Sequence, residues 1–170
     1  MLELTLRLLP VLALPALVLL ACAVAPPKVA GYRDPTTQIY SNAVLQLSDY
    51  AGEWTQVADF SATPCTPGRV TLRPVATGME ITGQLCLAGQ PTDVSGTYAA
   101  TGPGRMQRGQ DASWWVIWAD TNLRTLAIGT PDGRFGFILN KGDTLPSDRL
   151  NAAREVFDFN GYNPDRLQTF

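Results

Sequence analysis

The chain of 170 residues contains no histidine. That absence removes Ser-His-Asp and Cys-His catalysis and the commonest transition-metal ligand, leaving carboxylates, Lys, Tyr or Cys for any chemistry. Charge is scarce as well: 16% of residues are charged, and 13 Lys+Arg against 15 Asp+Glu give a net charge of −2. Without a basic stripe there is nothing to follow a phosphate backbone, which argues against a nucleic-acid partner. Three cysteines are present, none in a CxxC pair, so redox exchange has no motif to stand on. The acidic residues Glu53, Asp59, Glu80 and Asp93 converge in no spacing that would make a general acid–base pair. The reading is therefore a non-enzyme, with no cofactor and no metal site.

What the chain has in quantity is Gly (15) and Pro (13), at a length suited to one domain. That balance suits an all-β fold with many turns. Near the start, residues 8–27 carry no charge and hold Pro10 and Pro15, which disfavour a spanning helix and favour a cleaved signal. The run contains Leu19-Leu20-Ala21-Cys22, which resembles a bacterial lipobox: cleavage before Cys22 and acylation there. The expected organisation is a lipoprotein signal peptide over 1–21, a lipidated N-terminus and tether over 22–47, and a barrel domain over 48–170. Ala23 after the cysteine is similar to the outer-membrane sorting pattern of enterobacteria, which implies a lipid-anchored protein on the periplasmic face of a Gram-negative outer membrane. With Cys22 taken by lipid, Cys65 and Cys86 form an even pair in an oxidising compartment, and a disulfide between them is expected.

From Trp54 onward, short Val, Ile, Thr, Trp and Phe-rich segments recur between Gly and Pro. Strands are predicted near 54–62, 68–75, 79–87, 93–100, 104–109, 113–120, 123–129 and 134–140. In the second, Val70 and Leu72 alternate with Arg69, Thr71 and Arg73, the pattern of a half-buried antiparallel strand. Segment 113–120 is apolar on both faces, so it needs cover on both sides, and its inward face is left open. One helix is expected after Pro146-Ser147-Asp148 with a cap residue there, a stripe of Leu150, Ala153, Val156 and Phe157, and a stop at Asn160-Gly161. The fold class is all-β: an eight-stranded antiparallel up-and-down barrel with one C-terminal α-helix packed outside.

Three segments in order resemble a lipocalin, more narrowly a bacterial lipocalin of the outer-membrane lipoprotein type. They are Gly52-Glu53-Trp54 with the strand that follows, Trp115 through Asp120 to Arg124, and Phe137-Ile138-Leu139-Asn140-Lys141 followed by the helix. The resemblance implies that Gly52, Trp54, Asp120, Arg124 and Lys141 close the barrel, with Lys141 where the family usually has Arg, stacked on Trp54. Leu123 and Thr55 depart from the aromatics usual in the family. It also implies binding of a hydrophobic small molecule or lipid, such as a fatty acid or lysophospholipid, inside the barrel. Trp114, Trp115, Trp118 and Phe137 are candidates to line that site, and Gly83, Gly96, Ala99 and Gly136 to leave room for it. The alternative is a lipoprotein barrel that binds a protein partner such as a periplasmic hydrolase, with 101–105 as a contact loop. A filled barrel favours the alternative and an open cavity the first reading.

Overall fold

A computed structural model of the protein describes residues 31–170. The expected signal peptide, Cys22 and the first part of the expected tether lie outside the described residues.

Among the described residues, ten strands form one antiparallel sheet: β1 (Gly52–Phe60), β2 (Arg69–Val75), β3 (Gly78–Leu87), β4 (Gln90–Asp93), β5 (Gly96–Gly102), β6 (Arg105–Gln107), β7 (Trp114–Ala119), β8 (Thr125–Gly129), β9 (Gly136–Asn140) and β10 (Leu167–Thr169). Eight of them close in the order β1-β2-β3-β5-β6-β7-β8-β9, with β9 returning to β1; β4 extends the pairing of β3, and β10 that of β1. Closure leaves the ring without an edge open to other chains. Because neighbouring strands run in opposite directions, one end of the barrel holds the β2–β3, β5–β6 and β7–β8 turns and the start of β1. The other end holds residues 61–68, 88–95, 108–113 and 130–135.

Alternation sorts the side chains into two apolar layers. Trp54, Val70, Leu72, Met79, Ile81, Leu85, Tyr98, Met106, Trp114, Val116, Leu126, Ile128, Phe137 and Leu139 fill the interior. Val57, Ala58, Phe60, Ile117, Ala127 and Ile138 face outward, where Ala153 and Phe157 of helix α1 (Ser147–Phe159) and Tyr162 cover them. This outer layer supplies the second cover that segment 113–120 requires.

The face of β7 is settled by a bulge. Val116 pairs with Ile128 and Trp118 with Ala127, so Ile117 is an extra residue and both Ile117 and Trp118 point outward. A matching shift between Gln56 and Ala58 in β1 turns Val57 and Ala58 outward together. Each bulge breaks the period of two and feeds the layer under the helix.

At the start of α1 the structure departs from expectation. Pro146 is the residue before the helix, Ser147 is its first residue, and no side chain caps its N-terminus. The Pro146 carbonyl accepts the first helical hydrogen bond, from the Leu150 N–H at 3.0 Å. The tail forms β10, where Ala58 pairs with Thr169 and Phe60 with Leu167.

Residues 31–46 are docked along the barrel rather than hanging free. Tyr32 and Ile39 are buried in the outer layer, and Arg33 is 6% exposed. The chain then makes a short 3-10 turn (Leu47–Tyr50) that leads into β1.

Candidate functional site: a sealed base and a ring-filled mouth

The start of β1 shows why the sequence signature sits there. Trp54 is buried, and its indole N–H donates to the Tyr50 carbonyl at 2.9 Å, fastening the 3-10 turn across the base. The Lys141 ammonium lies 4.9 Å from the Trp54 ring centroid, in cation–π range. Gly52 has φ +126°, a backbone conformation that glycine adopts without a Cβ penalty. Asp120 accepts the backbone N–H groups of Arg124 and Thr125 at 2.6 and 2.5 Å and so fixes the β7–β8 turn. Arg124 acts through its backbone, its carbonyl accepting the Lys141 N–H at 2.8 Å, while its side chain is exposed.

The Tyr50 ring is fully buried in the interior, and its hydroxyl has no hydrogen-bond partner among the described residues. Burial, with the Asp49 carboxylate adding to it, pushes this phenol up to about 12. The proton therefore stays on, and the group remains a donor without an acceptor.

At the opposite end, four rings crowd the barrel mouth. Trp114 lies 5.0 Å from Tyr98, 5.0 Å from Phe137 and 6.5 Å from Phe135, centroid to centroid. The Tyr98 hydroxyl donates to the Val94 carbonyl at 3.1 Å, and burial raises its pKa to about 12. Arg108 closes over this group: its guanidinium carbon is 5.6 Å from the Tyr98 ring, and it donates to the Ser95 carbonyl at 2.6 Å and to Asp111 at 2.7 Å.

Between these ends the space is filled. Met79, Ile81, Met106, Val116, Leu126, Ile128, Phe137 and Leu139 are all 0% exposed. Among the described residues, no water-sized space adjoins these side chains. Of the four expected lining aromatics, Trp114 and Phe137 face the interior, as plug rather than as the wall of an open cavity. Trp115 and Trp118 do not line it: they face outward, because alternation from Trp114 and the bulge at Ile117 turn them to the outer layer. Trp115 carries Arg105 over its ring at 3.8 Å. The expected room at strand glycines is also absent. A Cβ at Gly83 would meet the Arg69 carbonyl at 2.1 Å, and one at Gly136 the rings of Phe60 and Tyr162 at 3.0 Å. At Gly96 the Arg108 side chain is 2.9 Å away, and Ala99 is an exposed residue. These small residues permit close packing of neighbours.

The loop 101–105 is held down. The Ser41 hydroxyl donates to the Pro103 carbonyl at 2.8 Å and accepts from Arg105 Nε at 2.8 Å, and Gly104 lies against the Asn42 backbone. The four acidic residues remain apart: Glu80 pairs with Arg73, Asp93 accepts the Ser95 N–H, Glu53 is exposed, and Asp59 is buried by itself.

The expected disulfide is present: Cys65 is bonded to Cys86, with Cα atoms 6.0 Å apart. Sequence reasoning missed two polar groups beside it. Gln56 is 1% exposed, with its side-chain amide bonded to the Cys86 backbone. Asp59, also 1% exposed, accepts from Ser61 at 3.1 Å and lies 3.3 Å from the Cys86 sulfur. Burial raises its pKa, against the hydrogen bonds from Ser61 and the Gly89 backbone, which lower it. A polar residue at an inward position of β1 was the available signal.

No protein-family model matches the sequence, and no curated protein matches it. Solved structures do. The chain is similar to lobster apocrustacyanin A1 (15% identity, TM-score 0.53, covering 71% of this chain and 76% of that one). It is also similar to the siderocalin Ex-FABP (13%, 0.56, covering 72% and 94%) and to the major cockroach allergen Per a 4 (12%, 0.53, covering 80% and 94%). Likeness at this identity concerns the fold, and the fold of this chain is that of the lipocalins: a closed eight-stranded barrel with one C-terminal helix outside.

Proposed function

We propose that the protein is a lipid-anchored lipocalin-like binding protein that takes a small hydrophobic ligand into its barrel from the mouth. The observation that carries this reading is the difference between the two ends. The base is sealed by the 3-10 turn that Trp54 fastens across it, whereas the mouth is stopped by the rings of Tyr98, Trp114, Phe135 and Phe137, of which Tyr98 is tied to backbone through its hydroxyl at the Val94 carbonyl. Rotating side chains out of an apolar interior costs far less than unpairing strands, and a hydrophobic ligand would replace the buried contacts that the rings give up. Met79 and Met106, flexible and polarisable, suit an interior that repacks around a guest. A ligand reaching the base with an acceptor group would give the Tyr50 hydroxyl its missing partner.

The ligand class is a fatty acid or lysophospholipid, and the role is storage or transfer of membrane lipid. The siderocalin among the similar structures functions through dual ligand specificities. The Leu19-Leu20-Ala21-Cys22 pattern supports a lipid anchor, and Ala23 after it supports placement at the periplasmic face of the outer membrane. Native mass spectrometry and displacement of a fluorescent fatty acid by palmitate test the binding claim. Absence of retained lipid, together with no displacement at micromolar palmitate, would overturn it. Cys22→Ser should move the protein to the soluble fraction, and an unchanged membrane fraction would sink the anchor.

The filled interior favours a second reading, a solid lipoprotein barrel that binds a protein partner such as a periplasmic hydrolase as inhibitor or scaffold. On that reading, mutations of the mouth rings lower stability without changing any lipid response.

A further inference from the structure

The chain enters the described fold at the rim of the mouth. Tyr32 N–H donates to the Gly133 carbonyl at 2.7 Å in the β8–β9 turn, and Gly31 lies against the backbone of Asp132 and Gly133. From there residues 31–42 form a strap down the outside of the barrel. Arg33 fastens its upper half, donating to the carbonyls of Asn160 at 2.8 Å, Pro131 at 2.7 Å and Thr37. Asn160 also accepts the Tyr40 N–H at 2.7 Å. Near the base, the Asn42 N–H reaches the Val116 carbonyl at 2.7 Å.

We infer that the anchored protein holds its mouth, rather than its sealed base, toward the bilayer that carries its acyl chains. This rests on the lipoprotein reading of Cys22. From Cys22 to Gly31 is nine residue steps, a reach of about 30 Å at full extension. A free tether as long as 22–47 would reach roughly 85 Å and impose no orientation. Docking of the strap withdraws most of that length, and it fixes the exit point at the mouth. The nine-residue strand β1, about 30 Å along its own axis and tilted by roughly 40° as barrel strands are, gives the wall a height of about 20–25 Å, so the base lies up to that height farther from the anchor than the rim does. The rim carries little net charge, since Arg108 pairs with Asp111 at 2.7 Å and Arg134 with Asp132 at 2.6 Å, which leaves the Asp93 carboxylate as its further charge. An amphiphile leaving the bilayer surface would then meet the ring-filled mouth at high local concentration.

The experiment uses full-length lipidated protein in vesicles of phosphatidylethanolamine and phosphatidylglycerol doped with an acceptor-labelled lipid. A donor fluorophore is placed through Gln110→Cys at the mouth or Ala76→Cys at the base, both exposed positions, with the native disulfide kept oxidised. Energy transfer to the bilayer is expected to be several-fold higher from position 110. Inserting a Gly/Ser linker of about twenty residues between Pro27 and Lys28 should erase the difference, and Arg33→Ala should narrow it by freeing the upper strap. Equal or higher transfer from position 76 in the anchored protein overturns the orientation while leaving the anchor reading intact. That result would instead favour contact through the apolar base around Val44 and Val75, which are 87% and 37% exposed. If the protein does not remain with the vesicles, or Cys22→Ser remains with them as well as wild type, the lipoprotein reading itself fails.

Discussion

Gln56 pairs its side-chain amide with the backbone of Cys86, accepting the N–H at 2.7 Å and donating to the carbonyl at 2.6 Å. The same amide oxygen accepts the Gly68 N–H at 3.2 Å. Strand β2 begins at Arg69, opposite Thr55, so beyond that point β1 has no β2 beside it. The Gln56 amide acts there as an inserted peptide group that ties β1 to β3, with the Cys65–Cys86 disulfide next to it. The wall is thus closed by a side chain where the ladder runs out.

Gln56→Leu should therefore be among the costlier substitutions in the barrel. It keeps the volume but leaves the Cys86 N–H and carbonyl without their partner in a buried site. An unsatisfied buried group costs about 1–3 kcal/mol, so a loss of roughly 2–4 kcal/mol is expected. Urea unfolding measures it, and a loss near zero would show that the bridge contributes nothing.

Tyr50 poses the opposite case. Its buried hydroxyl has no partner among the described residues, so Tyr50→Phe removes an unsatisfied donor while keeping the ring that packs in the base. A gain of about 1 kcal/mol is expected in the unliganded protein. If a ligand acceptor reaches this hydroxyl, the same substitution weakens palmitate binding. Calorimetric unfolding with and without palmitate separates the two effects, and a clear loss of stability without ligand would contradict the account.

Asp59 gives a pH dependence of known sign. Burial raises its pKa in the folded state above the ordinary value of 3.8, so the folded protein holds a proton that the unfolded chain releases. The resulting destabilisation is complete above the folded pKa, shrinks as pH falls through it, and vanishes below the unfolded value. Asp59→Asn lacks this titration. Urea midpoints between pH 4 and pH 8 should show wild type gaining on the variant as pH falls, and parallel profiles would rule out the raised pKa.

The architecture was legible because it rests on period and punctuation. Val70 and Leu72 alternate with polar neighbours in β2, and Ala153 and Phe157 of the helix stripe land in the outer layer. The ends were legible through Trp54 and Lys141, whose contact follows from where β1 starts and β9 stops. Trp115 and Trp118 were not assignable, because every residue around them is apolar and a one-residue bulge at Ile117 moves no polar marker. Gln56 was hidden for a different reason. A polar residue at an inward strand position shows that something must satisfy it, while its partners at Gly68 and Cys86 depend on where β2 ends. The docking of the strap was not readable: its mixed Thr, Gln, Ser and Asn composition suits a tether, and its attachment comes from Arg33 bonding to the distant carbonyls of Pro131 and Asn160 and to Thr37 within the strap.

Trp114 is the ring on which the two functional readings part. It is 2% exposed and touches Tyr98, Phe135 and Phe137, so Trp114→Ala should cost about 3–5 kcal/mol through lost contacts and the cavity left behind. A cavity lined by Met, Leu and aromatic side chains stays dry and can be filled by an apolar guest. For a barrel that admits ligand at its mouth, removing the central ring lowers the cost of opening. Palmitate should then raise the unfolding temperature of the variant more than that of wild type, and bind to it faster. For a solid scaffold, the variant is simply less stable, and palmitate leaves both proteins unchanged. Thermal unfolding with and without palmitate, combined with stopped-flow fluorescence, distinguishes these outcomes. A palmitate response in wild type that disappears in the variant would show instead that Trp114 is a ligand contact rather than the plug.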